Sequence, residues 1–250
     1  GLWLRARLWT RGRGSGGHPA GAGGPSSPHG GRAPVTVLPV LLWAAQAWSL
    51  TCTEYGEPQE QGRVNDCPID EASGLAYARE REGVWFTHND SGGQPELYAF
   101  RLDGVYEGAH AVEGAAFGDW EALSQGPCPD GGSCLYVGDV GDNPRARPYV
   151  TVYAVREPLA GESAPVVATW NVTYPDGQPR DSEALLVHPR TGRIDLVTKE
   201  DAETCGVYRL PRQPTGDTLG SLALVVRLSF PGEGGARTVT GADWDPDGDR

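Results

Sequence analysis

The sequence predicts an all-β fold from residue 70 onward, and three observations support this prediction. The 250 residues include 36 Gly and 21 Pro, a composition that favours turn-rich structure over helical bundles. Short runs rich in Val, Leu, Tyr and Trp alternate with Gly, Pro, Asp and Asn, which is typical of strands joined by turns. No segment has the apolar period of an amphipathic helix.

Three segments of the chain align with one another, and each contains three strand-like runs. The runs are 73–77, 84–90 and 96–100 in the first segment, 120–124, 134–139 and 150–155 in the second, and 182–186, 194–200 and 206–210 in the third. Each segment has room for a fourth, outer strand, at 110–113, 166–174 and 222–230. The first positions are spaced by 47, 62 and 58 residues when a fourth segment is started at Thr240.

Four antiparallel strands in a unit of this length are typical of a β-propeller blade. The sequence thus predicts a partial propeller over residues 70–250, with about three blades and the start of a fourth. Because propeller rings need at least about four blades to close, we expect the chain to be the front half of a longer propeller, truncated at its C-terminus. The absence of Met, even at position 1, indicates an incomplete or wrongly started reading frame.

The first 69 residues divide into three segments by composition. Residues 1–34 are rich in Gly, Ser, Pro and Arg, and we interpret them as a disordered or untranslated leader. Residues 35–47 contain an apolar run of about 11 residues after Arg32, ending in Ala45-Gln46-Ala47, which fits a signal peptide with cleavage after Ala47. The run is too short for a permanent membrane span. Residues 48–69 form an N-terminal arm.

These features favour a secreted, periplasmic or cell-surface protein, with a buried core segment as the alternative reading of the apolar run. Lipid attachment at Cys52 is a minority alternative, because Ser49-Leu50-Thr51 is a poor lipoprotein box. In an exported protein disulfides are the default state of cysteines. The turn sequence between Cys128 and Cys134 predicts a small bridge, and a bridge between Cys52 and Cys67 is expected in the arm. Cys205 is left over and is expected to be either free or paired with a residue beyond the given sequence.

Charge restricts the partners. The net charge is −12, and after residue 47 there are 16 basic residues against 33 acidic ones. Nucleic acid is therefore excluded as a partner, because binding phosphates needs clustered Lys and Arg. We expect a monomer that binds an extracellular ligand or protein.

Acidic and amide side chains recur at the starts of predicted inner strands and at the ends of the strands that follow. Antiparallel pairing brings these positions to one face, so the sequence predicts a ring of oxygen ligands suited to Ca²⁺. The predicted metal ligands are Asp119, Glu121, Asp139, Asp142, Asn143, Asp181, Glu183 and Glu200. The predicted ligand-binding residues at the same mouth are His88, Asn89, Asp90, Trp120, Arg180 and Lys199.

Each of these residues also has a structural interpretation. Asp and Asn in Gly-rich turns often cap their own backbone, and tryptophan rings in propellers more often pack between blades than stack on a sugar. The sequence contains no nucleophile elbow, zinc-protease helix, phosphate loop or dinucleotide fingerprint, so no catalytic residue is assigned.

Several strings of the sequence resemble a known group of proteins. Residues 87–92 (Thr-His-Asn-Asp-Ser-Gly), 119–123 (Asp-Trp-Glu-Ala-Leu), 136–143 (Tyr-Val-Gly-Asp-Val-Gly-Asp-Asn) and 181–185 (Asp-Ser-Glu-Ala-Leu) resemble the signature of secreted bacterial β-propeller proteins of largely unknown function. The resemblance covers roughly residues 65–250. It extends more weakly to NHL-like propellers and to calcium-dependent propeller phytases, but the phytase cluster of phosphate-binding Lys and Arg has no counterpart here.

Two functions follow as hypotheses. The first is an exported, non-catalytic propeller that binds a ligand or a protein, with a structural Ca²⁺ at the channel mouth. The second is a metal-dependent hydrolase of the phytase-like phosphoesterase kind, in which Asp119, Glu121, Asp139, Asp142 and Glu183 hold metals that activate water. We prefer the first, because a phosphoesterase needs a cationic clamp and the mouth is acidic.

Overall fold

The computed structural model describes residues 59–65, 68–200, 204–229 and 238–248. These residues form thirteen β-strands and no helix, so the all-β prediction is confirmed. The strands are β1 (Ala72–Tyr77), β2 (Val84–Asn89), β3 (Glu96–Arg101), β4 (Tyr106–Glu113), β5 (Trp120–Pro127), β6 (Ser133–Asp139), β7 (Val150–Arg156), β8 (Ala164–Thr173), β9 (Ser182–Val187), β10 (Ile194–Thr198), β11 (Thr204–Arg209), β12 (Leu219–Ser221) and β13 (Ala223–Ser229).

Antiparallel pairing divides these strands into three four-stranded groups. Group 1 is β1–β4 and group 2 is β5–β8, each paired in chain order, and group 3 has the order β9, β10, β11, β13. A short parallel contact, Val112 with Ala164, joins β4 to β8. The predicted outer strands are present in all three groups, and the short β12, which pairs with β8, was not predicted.

The groups pack on one another through apolar faces. Between groups 1 and 2, Phe86 and Leu97 belong to one buried cluster with Leu135 and Val137. Between groups 2 and 3, a second cluster contains Tyr136, Trp170, Leu185, Leu196 and Tyr208. Residues alternate between the two faces along each strand, so a strand such as β6, with all seven residues buried, must be covered on both sides.

The first strands of the three groups lie side by side, β1 next to β5 and β5 next to β9. Ser73 at the start of β1 contacts Glu121 at the start of β5, and Asp142, just after the end of β6 that pairs with the start of β5, contacts Asp181 before β9. The N-terminal ends of the three strands therefore lie on the same side of the protein. This arrangement places the carboxylates described below next to one another.

The end of the N-terminal arm covers the free face of group 1. Val64 and Ile69 are buried in a cluster with Tyr98 and Phe100. The Asn89 side chain fastens this segment, because its Oδ1 accepts from the backbone N–H of Asp70 (3.2 Å) and its Nδ2 donates to the carbonyl of Pro68 (2.9 Å). The leader 1–34, the apolar segment 35–47, Cys52 and Cys67 lie outside the described residues.

The cysteines and the segment after Thr240 were also predicted from the sequence. Cys128 and Cys134 form a disulfide as predicted, and Cys205 is buried without a disulfide partner in the described part of the chain. Residues 240–244, predicted to start a fourth unit, form no strand. A strand needs a hydrogen-bonded neighbour, and the described residues offer none beside this segment. Within the described ranges no helix is long and apolar enough to cross a membrane.

Candidate metal centre at the strand ends

Five carboxylates lie at equivalent ends of neighbouring strands and form what we call the acidic rim: Asp90, Asp119, Glu121, Asp181 and Glu183. Asp119 and Asp181 immediately precede β5 and β9, and Glu121 and Glu183 are the second residues of those strands. Asp90 follows the last residue of β2. The acidic rim thus spans all three groups, because the first strands stand side by side.

Asp90, Asp119 and Glu121 form the centre of the acidic rim. One carboxylate oxygen of each lies within 4.8 Å of the others. Glu121 is 7% exposed, whereas Asp90 and Asp119 are half-buried. Three carboxylates at this separation can bind a single cation between them.

Hydrogen bonds between and within the groups fix these positions. The N–H of Trp120 donates to the carbonyl of Asp90 at 3.0 Å, which connects groups 1 and 2 directly at the site. The Ser73 hydroxyl on β1 donates to the carbonyl of Glu121 at 3.0 Å and lies 3.4 Å from its Oε2. The N–H of Lys199 donates to the carbonyl of Asp181 at 2.9 Å, within group 3. The acidic rim is therefore held by the ends of the sheets and not by long loops.

Gly141 allows the loop after β6 to approach the carboxylates. Its N–H donates to the carbonyl of Asp119 at 3.1 Å. A Cβ at this position would lie 2.4 Å from Asp119 Oδ2 and 2.8 Å from Glu121 Cγ. Any side chain here would push the two carboxylates out of place, so glycine is required for the close approach and not for its φ angle.

The environment of the acidic rim opposes ionisation. Burial raises the pKa of Glu121 to about 8, and the negative charges of Asp90, Glu183, Asp119 and Asp181 add to this effect. Burial and the adjacent Asp90 raise the pKa of Asp119 to about 6. The pKa of Asp90 is also raised, first by burial. A bound cation would reverse these shifts, because it stabilises the ionised form of each group.

Two basic side chains already neutralise part of the charge. Lys199 forms an ion pair with Glu183, and this contact raises the pKa of the lysine. Arg147 Nη1 lies 2.8 Å from Asp139 Oδ1, and its positive charge offsets part of the rise that burial causes in the pKa of nearby Asp119. Asp90, Asp119 and Glu121 keep an excess of negative charge when they are ionised.

The other predicted metal ligands have structural contacts. Asp139 accepts the N–H of Asp119 at 2.9 Å in addition to its ion pair. Asp142 is 1% exposed and caps its own turn through the N–H groups of Ala146 and Arg147, while Asp181 Oδ1 accepts its N–H at 2.8 Å. Asn143 is exposed, and Glu200 Oε1 accepts from the Thr198 hydroxyl.

The six predicted ligand-binding residues fall into four different places. His88 and Trp120 are completely buried, with ring centroids 5.6 Å apart, and the Trp120 Nε1 donates to the carbonyl of Ala116. Asn89 fastens the arm, Asp90 belongs to the acidic rim, and Lys199 is paired with Glu183. The sixth, Arg180, pairs with Asp176 and stacks on Tyr174 and Tyr208. It lines a polar cavity of about 220 Å³ together with Arg145, Gln178, Pro179, Asp181 and Glu200.

Sequence reasoning missed two residues of the site. Ser73 is the second residue of β1 and so occupies the position that Glu121 and Glu183 occupy in β5 and β9. The sequence alignment started the first segment at Ser73, one residue after the start of β1, and therefore placed Gly74 opposite Glu121 and Glu183. Arg147 had no comparable signal, because only the turn capped by Asp142 directs its side chain back to Asp139.

No family model and no curated protein matches the chain. Among solved structures, one titled "Structure of U3-55K" is similar over 71% of this chain and 58% of its own length, with 10% sequence identity and a TM-score of 0.33. The chain thus spans less than two thirds of that protein.

Proposed function

We propose that this chain is an exported β-propeller module that binds a ligand or a partner protein, with a Ca²⁺ ion held at the mouth by Asp90, Asp119 and Glu121. In this proposal each four-stranded group is one blade. The side-by-side first strands and the apolar packing between groups support that assignment. The apolar segment 35–47 supports export.

The observation that carries the metal proposal is the convergence of three carboxylates within 4.8 Å at the strand ends. Carboxylate oxygens are hard ligands of the kind that Ca²⁺ prefers. Without a cation, the raised pKa values of Glu121 and Asp119 report that placing these charges together is costly. A divalent cation would offset this cost, and the hydrogen bonds from Ser73 and Trp120 already hold the ligands in place.

The remaining coordination positions suggest how a ligand would bind. Ca²⁺ takes about six to eight oxygen ligands, and three carboxylates supply between three and six of them. Water or oxygen atoms of a ligand would fill the other positions. A ligand that offers hydroxyl or carboxylate oxygens would therefore bind through the metal at the mouth.

A calcium titration followed by thermal unfolding tests the proposal. At a Ca²⁺ concentration 100-fold above the dissociation constant, binding adds about 2.7 kcal/mol to the free energy of unfolding, which raises Tm by about 5–10 °C for a domain of this size. Glu121→Gln should remove the rise, and Glu113→Gln, at an exposed carboxylate on β4, should keep it. Absence of a Tm change at millimolar Ca²⁺ would refute the metal site.

Hydrolysis of a phosphoester is the second candidate, and one observation favours it. Asp119, with a pKa of about 6, is suited to proton transfer near neutral pH. We prefer binding, because Arg147 and Lys199 are engaged with Asp139 and Glu183 and would have to leave those carboxylates to hold a phosphate. Calcium-dependent turnover of p-nitrophenyl phosphate that disappears in Asp119→Asn would favour the hydrolase instead.

A further inference from the structure

A polar cavity of about 220 Å³ lies beside the acidic rim, between the loop after β6 and the residues around the start of β9. Two arginines, two carboxylates, one amide and one proline line it: Arg145, Arg180, Asp181, Glu200, Gln178 and Pro179. At about 30 Å³ for each water molecule, this volume holds at least about seven waters, which is room for one small organic ligand. Asp181 belongs both to the cavity wall and to the acidic rim, so a ligand in the cavity lies next to the proposed Ca²⁺ site.

The charges of the cavity wall balance and alternate. The wall contributes two guanidinium groups and two carboxylates, so its formal charge is zero. Arg180 Nε lies 3.9 Å from Glu200 Oε1, and Asp181 directly follows Arg180 in the chain. An anion that approaches this guanidinium therefore meets carboxylates, and a cation that approaches those carboxylates meets the guanidinium. The wall best suits an uncharged ligand that carries both hydrogen-bond donors and acceptors.

Arg180 is held in place before any ligand binds. Its Nη1 and Nη2 donate to the two carboxylate oxygens of Asp176 at 2.8 and 2.6 Å, and Nη1 also donates to the carbonyl of Gln178 at 3.0 Å. The guanidinium stacks on Tyr174 and Tyr208. The Nε hydrogen and one Nη2 hydrogen make no hydrogen bond to the described residues, since 3.9 Å to Glu200 is too long. A donor fixed in this way loses little conformational freedom when it binds a ligand.

Arg145 has a backbone conformation that arginine rarely adopts. Its φ is 51°, in the left-handed region, and it is the only non-glycine residue of the described ranges with a positive φ. Its N–H donates to the carbonyl of Asp142 at 2.8 Å, within the turn that Asp142 caps. This turn places Arg145 on the cavity wall. Backbone strain of this kind is concentrated at functional sites, so it supports a binding role independently of the charge pattern.

We propose that this cavity binds a neutral polyhydroxylated ligand of about the size of one sugar ring. Each hydroxyl group both donates and accepts, so one such ligand can satisfy the guanidinium and amide donors and the carboxylate acceptors together. The ring of Pro179 offers apolar surface to the C–H groups of a sugar. The inference rests on the proposed function, because it names the ligand of the same mouth, and hydroxyl oxygens are hard ligands of the kind that Ca²⁺ accepts.

Saturation-transfer NMR titrations of the full chain in Ca²⁺ test the proposal with glucose, galactose, mannose and N-acetylglucosamine. We expect at least one of them to bind with a dissociation constant in the millimolar range, since so small a ligand makes few contacts. Glucuronate and protonated glucosamine have a similar ring but carry a negative and a positive charge, and each should bind about 10-fold more weakly than the best neutral sugar. No binding of any neutral sugar at tens of millimolar, or equal or tighter binding of a charged ring, would overturn the proposal.

Two substitutions on the cavity wall locate the binding. Gln178→Ala removes an exposed amide and keeps the backbone contacts of this residue, and Arg145→Asn introduces a residue that tolerates the left-handed conformation. Each should weaken sugar binding by about 10-fold, which is roughly the effect of one lost hydrogen bond. The matched controls Gln213→Ala and Arg212→Asn, at exposed positions in the loop after β11, should bind as the wild type does. Unchanged binding in both cavity variants would exclude this site.

The calcium response distinguishes failure of this inference from failure of the metal site. If Ca²⁺ raises Tm and Glu121→Gln removes the rise while no sugar binds, the metal site is supported and the sugar site is refuted. If a sugar binds and Gln178→Ala weakens the binding while Ca²⁺ leaves Tm unchanged, the sugar site is supported and the metal site is refuted.

Discussion

Glu121→Gln should stabilise the protein when no divalent cation is present. Burial and four neighbouring carboxylates raise the pKa of Glu121 to about 8, so its ionised form is disfavoured in the folded state. Glutamine keeps the shape of the side chain and can still accept from the Ser73 hydroxyl. The substitution thus removes the repulsion while leaving the packing of β5 intact.

The size of the effect follows from the pKa. Ionising this group at about 8 instead of 4.5 costs at most about 5 kcal/mol, at 1.36 kcal/mol per pH unit. Because the neighbouring Asp90 and Asp119 are only half-buried, solvent screening reduces this ionisation cost to about 2 kcal/mol. Between pH 4.5 and pH 8 the unfolded chain has lost the proton that the folded chain keeps, so the free energy of unfolding of the wild type falls as pH rises. The advantage of the variant should therefore grow over that range.

Thermal unfolding in EDTA at pH 5 and pH 8 measures this directly. At pH 8 we expect Glu121→Gln to unfold at a Tm about 4–8 °C above the wild type, with near equality at pH 5. Glu113→Gln, which lies outside the acidic rim, should match the wild type at both values. A variant that is less stable than the wild type at pH 8 would show that the carboxylate contributes a favourable contact and that the repulsion argument is wrong.

Two further predictions concern buried polar groups away from the acidic rim. Glu157 is 5% exposed and accepts two backbone N–H groups from the turn after β1, so Glu157→Gln should lower the free energy of unfolding in urea by about 1–3 kcal/mol. His110 is buried between the carbonyl of Glu162 and the guanidinium of Arg81, and burial lowers its pKa. Its unfolded form binds a proton more readily, so the stability gap between wild type and His110→Gln should narrow as pH falls below 6.5, and a constant gap would contradict this.

Much of the fold was predictable because strand periodicity and turn residues are local signals. The runs starting at Val84, Glu96 and Val150 begin where β2, β3 and β7 begin. Outer strands were predicted less well, since β4 starts four residues earlier than expected, at Tyr106, where alternation is weak. The strand predicted at 240–244 failed for a different reason: strand formation depends on a neighbour, which no local pattern specifies.

The position of the candidate site was predictable from the sequence, but the identity of the residues that form it was not. Antiparallel geometry correctly brought Asp119, Glu121, Asp181 and Glu183 to one edge, because the positions of strand starts were known from the repeat. Strand geometry alone could not distinguish carboxylates that point to the centre of the acidic rim from carboxylates that cap turns. Asp142 has the residue type and the Gly-rich context expected of a metal ligand, yet both of its carboxylate oxygens accept backbone N–H groups of its own turn.

The carboxylates of the acidic rim lie where the fold can best hold repelling charges together. Strand ends are fixed by ladder hydrogen bonds, and the connections from Trp120 to Asp90 and from Ser73 to Glu121 add bonds between groups 1 and 2 at the same place. If the carboxylates stood on free loops, repulsion would move them apart before a cation arrived. Here the hydrogen bonds of the sheets hold the carboxylates in place despite their repulsion. Binding of a cation would therefore require less ordering of these side chains and would cost less free energy.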